Sequence, residues 1–130
     1  MLFDTYKGKS VLITGNTGFK GSWLTAWLYA LGAKIVGISL DYPSSPNNFQ
    51  VSNLDQCTEN YFLDIRDLSE VERIIALHKP DFIFHLAAQA LVKKSYASAV
   101  DTFSTNAMGS INLLEATRIL DNPVSIVMIT

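Results

Sequence analysis

Cysteine is almost absent from these 130 residues, with Cys57 standing alone. One thiol cannot close an internal disulfide, which excludes the disulfide-scaffold class and points to a reducing compartment, so a cytoplasmic protein is expected. Runs of like charge are missing as well. Ten Lys and Arg against twelve Asp and Glu give a net charge of −2, so the basic footprint of a nucleic-acid binder is lacking and no nucleic-acid partner is expected. Long apolar runs are also missing: near the N-terminus the longest uncharged stretch, Gly21 to Ala33, is thirteen residues, and a membrane span needs about 20. No membrane segment is expected. The first basic residue is Lys7, and the start lacks the basic region and cleavable apolar run of a secretory leader. No metal site is expected either.

What the chain does have is apolar content. At 48% hydrophobic with only four Pro and seven Gly, it is a core-forming globular sequence with room for one domain, residues 1–130. Short β-branched runs alternate with helical patterns, the signature of βαβ units. Ser10 to Thr14 reads as a central strand buried on both faces. Phe19, Trp23, Leu24, Trp27, Leu28 and Leu31 recur at spacings of three and four, which predicts a helix over 18–31 with Trp23 and Trp27 in the core. Lys34 to Leu40 is the second strand and Tyr61 to Leu63 the third, after an irregular segment with one short helix near 49–54. Asp67 with Glu70 predicts a capping box opening a helix whose apolar face is Leu68, Val71, Ile74, Ile75 and Leu77. Phe82 to Leu86 is the fourth strand, a single long helix over 99–120 carries Phe103 as a core residue, and Val124 to Ile129 is the fifth. Right-handed crossovers then give an α/β doubly wound parallel sheet of order 3-2-1-4-5, helices on both faces, with a ligand crevice between the ends of strands one and four.

Gly15-Asn16-Thr17-Gly18-Phe19-Lys20-Gly21 is G-x-x-G-x-x-G between a buried strand and an amphipathic helix. There Gly15 permits the tight turn, Gly18 leaves no side chain between backbone and a pyrophosphate, and Gly21 lets the helix pack close. Asp41 ends the second strand, where a carboxylate accepts from adenosine ribose hydroxyls, and so predicts NAD over NADP; the competing reading is a turn-capping Asp before Tyr42-Pro43. Asp64 and Ile65 either flank the adenine or order the turn into the next helix. The small residues of Leu86-Ala87-Ala88-Gln89 either let backbone approach a flat ligand opposite the glycine turn or simply allow close packing. Asn106 either bonds backbone locally or reaches the nicotinamide half. His85 on a buried strand and His78 on a helix end read as satisfied structural residues, and neither is assigned a catalytic role.

These residues resemble the extended short-chain dehydrogenase/reductase family, whose TGxxGFxG motif is Thr14 to Gly21 here, so the fold implied is a Rossmann domain. Asp64-Ile65-Arg66-Asp67, His85 to Gln89, Thr105-Asn106-Ala107-Met108-Gly109 and Leu113 to Ala116 extend the match along nearly the whole chain. Lys20, Trp23, Gln89 and the segment Leu91 to Tyr96 are more similar to the branch of 4,6-dehydratases that act on CDP-glucose than to the epimerases. The resemblance implies that NAD oxidises C4 of a nucleotide-linked hexose, water leaves across C5 and C6, and the hydride returns to C6. It places Gly15, Thr17, Gly18, Phe19, Lys20 and Gly21 around the pyrophosphate turn, Asp41 on the ribose, and Asp64 with Ile65 on the adenine. Leu86, Ala87, Ala88, Gln89 and Asn106 would line the nicotinamide side.

Such enzymes use a Tyr-x-x-x-Lys pair, and none of Tyr6, Tyr29, Tyr42, Tyr61 or Tyr96 has Lys four residues on. The expectation is therefore a cofactor-binding N-terminal part, inactive alone, with the catalytic and sugar-binding residues beyond Thr130. An epimerase or another dehydratase of the family is the alternative within it, and a non-catalytic NAD-binding module the alternative of another class. The uncharged edge strand Ser125 to Ile129 and the long helix also predict self-association, as a homo-oligomer.

Overall fold

The computed structural model describes residues 2–129, so Met1 and Thr130 lie outside it. Five strands, β1 (Ser10–Thr14), β2 (Lys34–Ser39), β3 (Glu59–Phe62), β4 (Phe82–His85) and β5 (Ser125–Met128), form one sheet. All neighbours pair in parallel, in the order β3-β2-β1-β4-β5. The doubly wound topology is as the sequence predicts. Central β1 explains its own composition: Val11, Leu12 and Ile13 are fully buried because both faces of the strand are covered. Leu12 packs with Val71, Ile74, Ile75 and Leu113 on one face, and Val11 and Ile13 pack with Leu28 and Ile35 on the other.

The helices on the first face are α4 (Leu68–His78) and α7 (Gly109–Thr117). Asp67 caps α4 through a bond from the Glu70 amide, but the capping box is only half made. The Glu70 carboxylate goes to Arg73, and the Asp67 amide is taken by the Asp64 carbonyl. Leu77 is 63% exposed and not on the apolar face, since six residues place it about 120° round the helix from Val71. The opposite face carries α2 (Phe19–Ala30), and α1 (Leu2–Thr5) precedes β1. In the irregular segment, α3 (Asn48–Val51) and a 3₁₀ turn (Leu54–Gln56) bury Phe49 and Leu54.

One expectation is modified here and another fails. The predicted helix over 99–120 is α6 (Ala99–Phe103), a π turn (Ser104–Met108) and α7, preceded by a further short helix, α5 (Val92–Ala97). Apolar spacing does not register the wider π turn, which interrupts the 3.6-residue period. Trp23, Trp27 and Phe103 are 60%, 54% and 74% exposed and so are not core. For α2 the reason is local: Gly21, Ser22, Thr25 and Leu28 form the buried face, which leaves both tryptophans turned away from it. Among the described residues, no helix is long and apolar enough to cross a membrane.

Candidate cofactor-binding site

Parallel pairing brings the C-terminal ends of all five strands to one edge, and the order reverses between β1 and β4. The turn after β1 passes directly against the segment after β4. Gly15 has φ +74°, and a Cβ there would lie 2.8 Å from the Ala87 amide nitrogen, so glycine is needed both for the conformation and for the contact. Gly21 is constrained more tightly. Its Cβ would lie 2.0 Å from the Gly15 carbonyl oxygen, so it seats α2 on the turn itself rather than on the sheet. At Gly18 a Cβ would meet only Gly15 O, at 3.3 Å, and otherwise open space. Gly18 is also the N-cap of α2 and supplies no capping side chain. The first-turn amides of such a helix end have no intrahelical acceptor, and the macrodipole favours an anion there. A diphosphate fits this cradle.

A buried polar network fixes the turn to the neighbouring strands. The Thr17 amide donates to Ser39 Oγ at 3.2 Å, Ser39 Oγ donates to Asn16 Oδ1 at 2.7 Å, and Asn16 Nδ2 donates to Asn60 Oδ1 at 2.8 Å. The Thr17 hydroxyl donates to the Asp41 carbonyl at 2.7 Å. Thr17 is buried and acts as a strut, holding the backbone of the exposed residue Asp41 against the glycine turn. Periodicity gives no sign of Asn16, Ser39 or Asn60. One signal was present: Gly37 inside β2 marks a close approach, and a Cβ there would lie 2.0 Å from Asn16 Nδ2.

After β4, the Leu86 and Ala87 amides both donate to Thr14 Oγ1, at 3.2 and 3.1 Å, and Ala88 is exposed. Asn106, in the π turn, accepts from the Gln89 amide at 2.7 Å and donates to the Gln89 carbonyl at 3.2 Å. Its amide thus bonds backbone seventeen residues away rather than locally, clamping the segment that starts at Leu86. The Gln89 side chain reaches Thr102 and the backbone of Leu91.

After β3, the Asp64 carboxylate is held by Arg66 at 2.6 Å, and Arg66 also reaches Asp101 at 2.8 Å. The Arg66 bonds keep the Asp64 carboxyl below the ordinary carboxylate range. Ile65 is buried against Gly109, and Asn112 donates to the Ile65 carbonyl at 3.1 Å. Asp64 and Ile65 therefore stand at the same sheet edge as the glycine turn, with the Asp64 carboxylate ordering its own turn through Arg66. Gly15 to Gly21, Asp41 and Leu86 to Ala88 form one group; Gln89 and Asn106 form a second that adjoins it.

The sequence model of GDP-mannose 4,6 dehydratase matches residues 12–130. The chain belongs to that family, and with it to the extended short-chain dehydrogenases/reductases. A CDP-glucose 4,6-dehydratase of Salmonella typhimurium is 44% identical over 96% of this chain and 35% of its own length. A GDP-mannose 4,6-dehydratase of Vibrio cholerae is 38% identical over 86% of the chain and 32% of its own. The chain thus spans about a third of the length of the curated relatives it matches. Among solved structures, the Thermus thermophilus UDP-glucose 4-epimerase complex with NAD superposes with a TM-score of 0.74. It is 34% identical, over 84% of this chain and 33% of that one. These relatives are of two reaction types, dehydratases and an epimerase.

Proposed function

We propose that the chain is the NAD-binding part of a nucleotide-sugar 4,6-dehydratase whose substrate is CDP-glucose. The observation that carries this is the Gly15–Ala87 contact, which sets a side-chain-free phosphate cradle against the β4 segment, with Asp41 tied to the same turn through Thr17. Gly15, Gly18 and Gly21 with the amides of Phe19 and Lys20 would hold the pyrophosphate, Asp41 the adenosine ribose, and Asp64 with Ile65 the adenine. Leu86 to Gln89 and Asn106 would face the nicotinamide. NAD supplies a reversible oxidation, at C4 of the hexose, undone at C6 after water leaves across C5 and C6. This chain's own part is to orient the dinucleotide and keep water from its inner face. No tyrosine in it has a lysine four residues on, so alone it binds NAD without turning over the sugar. Identity of 44% to a CDP-glucose enzyme against 38% to a GDP-mannose enzyme favours CDP-glucose. A cytoplasmic homo-oligomer accords with the lone thiol of Cys57 and with the exposed apolar residues Val100, Phe103 and Val127.

Calorimetric titration tests the reading. NAD binds more tightly than NADP, because Asp41 would face a 2′-phosphate across the ribose and repel it. Equal affinities, or a preference for NADP, would mean that Asp41 does not reach the ribose. In a second titration, Gly18→Val removes NAD binding from a chain whose circular dichroism is unchanged, since the added side chain points into the cradle rather than into the fold.

A further inference from the structure

One buried hydrogen-bonded group has no part in the reading above. His85 ends β4, is 3% exposed, and bonds at both ring nitrogens: Nδ1 to Thr14 Oγ1 at 2.6 Å and Nε2 to Ser110 Oγ at 2.9 Å. Its partners dictate where the protons lie. Thr14 Oγ1 accepts from the Ala87 amide at 3.1 Å and shares the Leu86 amide with the nearer Thr14 carbonyl, which leaves its single proton to go to His85 Nδ1. Ser110 Oγ lies 2.7 Å from the Asn106 carbonyl, an acceptor only, and must donate to it. Ser110 therefore accepts from His85 Nε2–H. Asn106 in turn holds both backbone groups of Gln89, and Gln89 follows Leu86 and Ala87 in the chain. The bonds close a ring: Thr14, His85, Ser110, Asn106, Gln89, and back along the β4 segment to Thr14.

We propose that His85 is a positioning residue for the nicotinamide half of the cofactor: through Ser110 it fixes the π turn, and through Asn106 the segment Leu86–Gln89. This rests on the reading of the crevice as a dinucleotide site. The ring accepts one protonation state of His85, the neutral Nε2–H tautomer. A proton on Nδ1 would compete with the Leu86 and Ala87 amides for Thr14 Oγ1 and turn the Thr14 hydroxyl proton away, and burial also lowers the pKa of His85. A π turn at this place fits the role, because such turns recur at functional sites.

The unaltered chain and Ser110→Ala are titrated with NAD and with ADP-ribose, which lacks the nicotinamide. In Ser110→Ala the His85 Nε2–H and the Asn106 carbonyl lose their partner, and NAD affinity falls about tenfold, the scale of one buried hydrogen bond left half made. ADP-ribose affinity stays within about twofold, and Ser110→Thr, which keeps the hydroxyl, restores NAD affinity. Equal losses for both ligands, or none for either, would overturn the positioning role while leaving the dinucleotide site intact. An unaltered chain that binds ADP-ribose and NAD not at all overturns the dinucleotide reading and this inference with it. A second measurement needs no variant. Nitrogen-15 NMR of the unaltered chain at pH 8 shows the His85 proton on Nε2, and a proton on Nδ1 would refute the ring.

Discussion

Helices α2 and α4 lie on opposite faces of the same sheet and bury opposite kinds of residue. Toward the sheet α4 presents Val71, Ile74 and Ile75, all fully buried. The buried face of α2 is Gly21, Ser22, Thr25 and Leu28, and its aromatic residues Phe19, Trp23 and Trp27 face outward. The difference comes from what each helix meets. α2 is seated on the glycine turn, where Gly21 has the Gly15 carbonyl in place of a side chain, so its first turns bury small residues and a large one, Leu28, enters only farther along. Ser22 and Thr25 can face inward because each hydroxyl bonds a carbonyl of its own helix, Phe19 and Gly21 respectively. α4 meets no turn and fills its gap with branched aliphatics. One helix is built for packing energy, the other for close approach of backbone to backbone.

The largest effect is expected where approach is closest. Gly21→Val puts a side chain into the Gly15 carbonyl and forces the turn open, with a loss of about 3 kcal/mol or more on the scale of overpacked interiors. Urea unfolding measures it, and NAD binding disappears with it. A midpoint like that of the unaltered chain would mean that α2 does not need its seat on the turn. On the other helix, Ile75→Ala deletes fully buried carbons and leaves a cavity, with an expected loss of about 2–4 kcal/mol. Here NAD affinity is retained in the folded fraction, because α4 touches no part of the cradle. A drop in affinity from this variant would join two regions that the fold keeps apart.

The same contrast explains what the sequence could and could not reveal. Strand order, the site edge and the α4 core are legible because hydrophobic period and glycine spacing report them directly: Ser10 to Thr14, the G-x-x-G-x-x-G turn, and Val71 with Ile74 and Ile75 all stand where expected. Large apolar residues mislead where a helix buries small ones. Trp23 and Trp27 have core spacing, but burial is decided by the glycine turn beneath them. The π turn at Ser104–Met108 is invisible for a related reason, since its Asn106 bonds the backbone of Gln89, which is distant in sequence. Polar networks such as Asn16–Ser39–Asn60 leave no periodic trace at all. Only Gly37, a glycine in mid-strand, marks the space that Asn16 fills.

The smallest effect is expected on the outer face of α2. Trp23 is 60% exposed, so Trp23→Gln removes little buried area and should change stability by no more than about 0.5 kcal/mol, the usual range for surface substitutions. A larger loss would place the indole in the core after all and undo the contrast with α4. Sedimentation of the same variant sharpens the result. The residues proposed for self-association lie elsewhere, on α6 and on the edge strand β5, where Phe103 is 74% and Val127 43% exposed. Trp23→Gln should therefore sediment like the unaltered chain. Val127→Lys, which sets a charge on the edge strand, should shift a strand-paired dimer toward monomer, and Phe103→Lys should do the same for a helix-paired one. If Trp23→Gln alone dissolves the oligomer, the outward aromatics of α2 are an interface, and their exposure has a function that neither periodicity nor packing reveals.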